Sequence, residues 1–284
     1  MSSILTNNSA LVALQTLKSI NSNLAKTQNE ISTGKSIATA KDNAAIWAIS
    51  KVMETDQSAF KTIQSNLNVA DAVVETARRG AEDITKLLQE MKDLALGATS
   101  DTADYATIWD DIAHKRDQIT SIINASQING VNLLRTNVVG TETDFVVLAS
   151  LDRTFGAHQT DKTNTITVAS VDFEAGLQAD LAALTQFTDR SEVTAFITSI
   201  EDAIDEATAG AATLGAAGKR ITDQANFVSK LADSLTSGIG AMVDADMEAA
   251  SARLQALQTQ QQLGIQSLSI ANQAPAAILS LFRN

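Results

Sequence analysis

From Ile46 to Ala95 one stripe of the chain alternates spacings of three and four residues without a break, and all but one of its members are apolar. Ile46, Ile49, Met53, Phe60, Ile63, Leu67, Ala70, Val74, Ala77, Ala81, Ile84, Leu88, Met91 and Ala95 make up the pattern, and Asp56 is its one polar member. A repeat averaging 3.5, held over about seven heptads, specifies one long helix with a single apolar seam of coiled-coil type. At 1.5 Å per residue that is a rod of roughly 75 Å, far longer than the average globular helix. Rod packing is expected at Ile49, Met53, Phe60, Ile63, Leu67, Val74, Ile84, Leu88 and Met91. The alanines of the seam let neighbouring helices approach closely. The single proline, Pro275, leaves other long helices free to form.

The rod should break at "LALGATSDTADY", where Gly97 precedes a run of small polar residues. A second helix follows with Ile108, Ile112, Ile119 and Ile122 on one face, and "SQINGVNLL" ends it with Asn129-Gly130 as a turn signal. Residues 138–173 change character. "DFVVLAS" and "NTITVASVDF" are rich in β-branched residues and partly alternate, as a hairpin or small sheet would. Helix returns from Ser191, softened by "TAGAATLGAAGKR", and the three–four spacing resumes from Ile221 to Met242. Beyond Met242 the seam moves to Met247, Ala250, Leu254 and Leu257. That displacement reads as a stutter, which locally unwinds a supercoil, and marks a joint between two packing zones.

Both ends lack charge. Residues 1–17 and 254–282 contain no Asp, Glu, Lys or Arg, in a chain of net charge −12. The first carries a stripe of leucines, yet neither is apolar enough to enter a membrane. A surface helix keeps charge on its wet face, so a helix with none on any face is built to be packed on several sides. Its Gln, Ser, Asn and Thr can share hydrogen bonds there without the cost of burying charge. A lone pair of helices cannot bury every face, so these ends are expected to order fully only when other copies surround them. The expected fold is mainly α: a long antiparallel bundle with coiled-coil seams, the terminal helices paired at one end, and a small β-hairpin mid-chain. The expected division is 1–45 plus 241–284 as a terminal domain, 46–137 plus 191–240 as a rod, and 138–190 as a small outer insertion.

The same composition excludes several classes of function. The acidic balance argues against nucleic acid, which requires clustered Lys and Arg. No stretch spans a membrane, and the N-terminus lacks the basic, apolar and cleavage regions of a secretory signal. With no cysteine and two distant histidines, His114 and His158, no metal, cofactor or thiol chemistry is expected. "GIGAMV" lies inside a helical seam instead of following a strand, so it is no nucleotide loop. No nucleophile–base set is visible, and no enzyme is expected.

The residues do match a family. "TNNSALVALQTL" and "QNEISTGKSIATAKDNAAIWAIS" (28–50) resemble the N-terminal signature of the bacterial flagellins, with the Ile-Ser-Thr-Gly and Ala-Lys-Asp-Asn-Ala-Ala runs intact. "SQINGVNLL" resembles the family's Gln-x-Asn-Gly-Val element. "DADMEAASARLQALQTQQQLGIQSLSIANQAPAAILSLFR" resembles its C-terminal signature. The short middle resembles flagellins of alphaproteobacteria. The resemblance implies a structural subunit that self-assembles, alone or with sibling flagellins, into an extracellular filament for swimming. The terminal helices would form the inner tube, with contacts at Leu11, Leu14, Leu17, Leu24, Ile31, Leu254, Leu257, Leu263, Leu268, Ile278, Leu279, Leu281 and Phe282.

Further implied are export unfolded through the flagellar type III apparatus, an export chaperone on the C-terminal segment, and contact with flagellar cap and hook–filament junction proteins. "LLQEMKDLALGAT" aligns with the segment through which many flagellins touch their neighbours and the animal flagellin receptor. Gln89, Lys92 and Leu94 fit that pattern and Asp111 joins them. Glu90 stands where the pattern has arginine, which implies weak receptor binding. The rival readings are a hook–filament junction protein, with both signatures but a short zone, and a soluble coiled-coil binding module.

Overall fold

The computed structural model describes residues 7–100, 103–151 and 164–281, with 274–281 as helical backbone alone. Among these residues lie six helices and two strands in the order α1 (Asn8–Thr33), α2 (Ala44–Gly97), α3 (Tyr105–Ala125), β1 (Asp144–Leu148), β2 (Thr165–Ala169), α4 (Leu177–Ala183), α5 (Arg190–Val243) and α6 (Met247–Leu281). The expected mainly α fold with one small hairpin is therefore observed. Short polar side chains set the starts of the long helices by accepting first-turn amide protons. Asn43 accepts from Ala45 and Ile46, Asp104 from Ala106 and Thr107, Asp189 from Glu192, and Asp246 from Glu248 and Ala249. The chain forms two compact units, Met1–Thr55 with Ser234–Asn284, and Asp56–Asp233. Thus the first turns of α2 belong with the ends, and 138–190 is part of the second unit instead of a separate body.

In the second unit the α2 seam is the core. Phe60, Ile63, Leu67, Ala70, Val74, Ala77, Ala81, Ile84, Leu88, Met91 and Ala95 are all buried. α5 runs antiparallel against α2. Thr222 donates to Asp71 at 3.0 Å, Gly218 faces Val74, Gly215 faces the Arg78 stem, and Lys92 pairs with Glu201 at 2.6 Å. α3 returns along another side of α2, where Lys115 pairs with Glu90 and Ser126 faces Gly80. α3 buries Ile112, Ile119 and Ile123 and leaves Ile108 and Ile122 half-buried. The last inward residue is thus one position beyond the expected Ile122.

Along α2, Arg78 and Arg79 both donate to the Glu75 carboxylate. Their hydrogen bonds hold it down to about 2.

The turn after α3 has the geometry its residues dictate. Asn129 and Gly130 take φ values of 53° and 80°, and Ile128 and Val131 exchange backbone hydrogen bonds of 3.1 and 3.0 Å, as in a primed two-residue turn. The buried Asn132 amide ties this loop down, donating to Ile123 O at 2.7 Å and accepting from Leu134 N–H at 2.9 Å. β1 and β2 pair antiparallel in a register that sets Val147 against Ile166 and Phe145 against Val168. Val147, Ile166 and Val168 are buried, so one face of the hairpin packs and the other is wet. Gln224 of α5 anchors it, donating to Ala149 O at 2.7 Å.

The sequence did not suggest α4. It buries Leu177 and Leu181 behind Phe173, and the segment before it packs so closely on α5 that a Cβ at Gly210 would lie 2.5 Å from Val171 and 2.6 Å from the Phe173 ring. The Ala/Gly-rich patch is therefore a close helix contact and not a break. Next to it the Glu206 carboxylate receives the Leu177 amide proton. Burial, with Asp180 and Asp172 nearby, raises Glu206 above its ordinary 4.5. A raised acid favours the fold below its unfolded value, and that contribution is lost as pH rises through the folded one. Glu206→Gln keeps an acceptor for Leu177 and removes the repulsion. It is expected to raise the melting temperature at pH 7 and to change it little at pH 4, which thermal scans at the two pH values check.

The first unit contains the joint. α5 stops at Val243 and α6 starts at Met247, so the expected stutter is an actual break between two helices. A strand-like clasp fills it. Gly34, with φ 69°, ends α1 in the left-handed region open to glycine. Ser36 N–H then donates to Val243 O at 2.8 Å, and Ala245 N–H donates to Gly34 O at 2.9 Å. Lys35 pairs with Glu54 at 3.3 Å, which ties the clasp to the first turns of α2.

Candidate assembly surface

α1 and α6 lie side by side beyond the clasp. Gln261 donates to Asn21 at 2.8 Å, the Asn7 amide donates to Ala271 O at 2.7 Å, and Leu17 sits over Gly264. Close to the clasp the pair is well covered: Thr27, Ala250 and Leu257 are buried. Farther out, coverage fails. Leu11, Val12, Leu14, Leu263, Ile265 and Ile270 are 41–70% exposed, a concentration of bare aliphatic side chains that two helices alone cannot hide.

The three of them on α6 fall on two of its sides. Gln261, Gly264 and Ala271 mark the line along which it meets α1. Leu263 and Ile270 each precede a residue of that line, and Ile265 follows one. At about 100° per residue they point to opposite flanks. Between the flanks, facing away from α1, run Gln255, Gln258, Gln262, Gln266 and Gln273, all exposed. The hairpin thus has two apolar flanks and an uncharged polar ridge.

Of the residues expected to make assembly contacts, Leu11, Leu14 and Leu263 are exposed in the single chain. Leu17, Leu24, Ile31, Leu254 and Leu268 are half-buried within the hairpin, and Leu257 is buried there. The side chains of Ile278, Leu279 and Leu281, and all of Phe282, lie outside the described residues. Val12, Ile265 and Ile270 belong with the exposed set although the leucine stripe does not contain them. Their signal was the uncharged run itself, which makes every face of the helix eligible.

One rod residue is corrected. Ile49 is 53% exposed and packs in no core of the single chain, while Met53 reaches toward Gly238. The spacing continues past the stretch that a neighbour covers: the seam is buried from Phe60 onward, and Ile49 lies outside it.

In the segment around Glu90, Gln89 is exposed, Glu90 is tied to Lys115 of α3, and Lys92 to Glu201 of α5. Leu94 and Asp111 line a shallow groove of about 370 Å³ with His114, Lys115 and Gln118.

Two family models match the chain: the bacterial flagellin N-terminal helical region over residues 4–138 and the bacterial flagellin C-terminal helical region over residues 197–282. The chain is 42% identical to a flagellin of Brucella melitensis, with 100% of each chain covered. It is 38% identical to flagellin FljM of Caulobacter vibrioides, covering 100% of this chain and 99% of that one. In fold it is similar to a protein of Vibrio parahaemolyticus described as a flagellar hook-associated protein, at a TM-score of 0.51 and 15% identity, over 70% of this chain and 99% of that one. The chain belongs to the bacterial flagellin family.

Proposed function

We infer that this chain is a structural subunit of the bacterial flagellar filament, and that its terminal hairpin is the surface through which copies join. The observation that supports this most directly is the pair of bare apolar flanks on α1 and α6. A hairpin with one such flank would dimerise and stop. With one on each side it can be held between two neighbours, and repetition of that heterologous contact generates a helical polymer or ring. Full coverage of an aliphatic side chain contributes ~1.5–3 kcal/mol, and the six bare ones on α1 and α6 still have about half of that to gain, so every subunit has a strong reason to add. Flagellin relatives of full length support the same reading.

The test is growth on seeds. Purified chain added to sheared filament ends should extend them without limit under electron microscopy. Growth that halts after a short collar would instead favour a hook–filament junction protein, and a small soluble oligomer at high concentration a binding module. The finer reading has the filament outside the cell, the chain exported unfolded, and a chaperone shielding the uncharged C-terminal segment until then.

The Glu90 segment carries a separate expectation about the animal flagellin receptor. An anion held by Lys115 occupies the place where the family pattern has a cation, which should weaken binding. Reporter cells should respond to this chain at least about tenfold less potently than to an enteric flagellin, the cost of one mismatched charged contact. Equal potency would refute it.

A further inference from the structure

The turn after α3 holds a reactive pair of groups. An asparagine followed by glycine is the pairing in which the main chain most readily attacks a side-chain amide, because no side chain on the glycine crowds the approach. Here the Gly130 nitrogen would add to Asn129 Cγ, and the bond from Cγ to the amide nitrogen would break. Ammonia leaves with the proton that Gly130 gives up, and a cyclic imide remains. Water then opens the imide at either carbonyl, to aspartate or to isoaspartate. No oxidation or reduction is involved.

Both groups are available. Asn129 and Gly130 are exposed, and neither the Asn129 amide nor the Gly130 N–H has a hydrogen-bond partner among the described residues. Gly130 also lines a polar cavity of about 510 Å³ with Gln127, Asn132 and Asn137, so water reaches the bond. Geometry alone withholds the reaction. Ring closure needs the Gly130 nitrogen swung beside Asn129 Cβ. At φ 53° Asn129 is left-handed, and the ψ of roughly +30 to +60° that goes with that region puts the nitrogen nearly opposite Cβ. The paired hydrogen bonds between Ile128 and Val131 keep it there. Behind them the buried Asn132 amide ties the turn to the end of α3 through Ile123 O.

We propose that Asn129 is a site of spontaneous deamidation gated by its own turn: spared while the turn is closed, converted when it opens. The change runs one way. Isoaspartate lengthens the main chain by a methylene, so Ile128 and Val131 no longer meet across a two-residue turn and Asn132 loses its register against α3. The modification therefore records how long this part of the second unit has stood open.

The test incubates the full-length chain in mildly alkaline buffer, with and without urea, and follows the peptide containing Asn129 by mass spectrometry. Conversion of the folded chain is expected to be at least about tenfold slower than in urea, since the turn must open first. Asn132→Ala removes the buried anchor and should bring the folded rate toward the urea rate; circular dichroism verifies that this variant folds. Gly130→Ala should slow conversion even in urea, because a methyl group then crowds the attacking nitrogen. Equal rates for the parent with and without urea would overturn the gate. A parent that stays unconverted in urea, or a Gly130→Ala chain that converts as fast as the parent there, would overturn the site.

Discussion

A chain ending at Arg253 is expected to remain unpolymerised at concentrations where the full chain forms filaments. The deletion removes Leu263, Ile265 and Ile270, which supply α6's share of both bare flanks, together with the partner that α1 packs against. These three are 55–70% exposed in the single chain, so covering the remainder contributes about 1–2 kcal/mol each; with tenfold in concentration per 1.4 kcal/mol, their loss puts the critical concentration at least about 100-fold higher. The second unit holds none of the deleted residues. Its thermal transition by circular dichroism should therefore survive, while sedimentation shows no polymer. Filaments from the shortened chain would defeat the assignment of the hairpin as the joining surface.

Leu88→Ala should act in the opposite place. Leu88 is fully buried in the α2 seam, and truncating such a side chain typically costs 2–5 kcal/mol, because the cavity refills only in part. At roughly 2–4 °C per kcal/mol for a body of this size, the melting temperature should fall by about 5–15 °C. Val69→Ala on the same helix is the control. Val69 is 56% exposed, and a surface truncation stays within about 0.5 kcal/mol. Equal losses at the two positions would mean that the seam is not the core.

The seam was legible in the sequence because a long helix repeats one contact many times. From Phe60 to Ala95 every inward residue reports the same partner line, and local spacing suffices to find it. The hairpin was legible in the same way, through alternating β-branched residues. What the sequence concealed depends on partners far away along the chain. The clasp between 34–37 and 243–245 is made of backbone groups, which leave no mark on side-chain pattern beyond the shifted spacing after Met242. α4 is seven residues long, too short for a helical period to declare itself, and only tertiary packing buries its Leu177 and Leu181. Ile49 fits the spacing yet lies outside the buried stretch, because periodicity says which residues share a stripe and not how far a neighbour covers it. The assembly surface was half visible: the absence of charge marked both ends, but which aliphatic side chains stay bare depends on the line along which α1 meets α6.

The clasp has a consequence for timing. Its two strands are about 200 positions apart in the chain, and closing so large a loop must precede any gain from the pairing. Whichever terminus is delivered first must wait for nearly everything else to arrive before Ser36 can find Val243. A chain still being made therefore has no premature version of this joint to form, and the clasp closes only once Val243 and Ala245 are present.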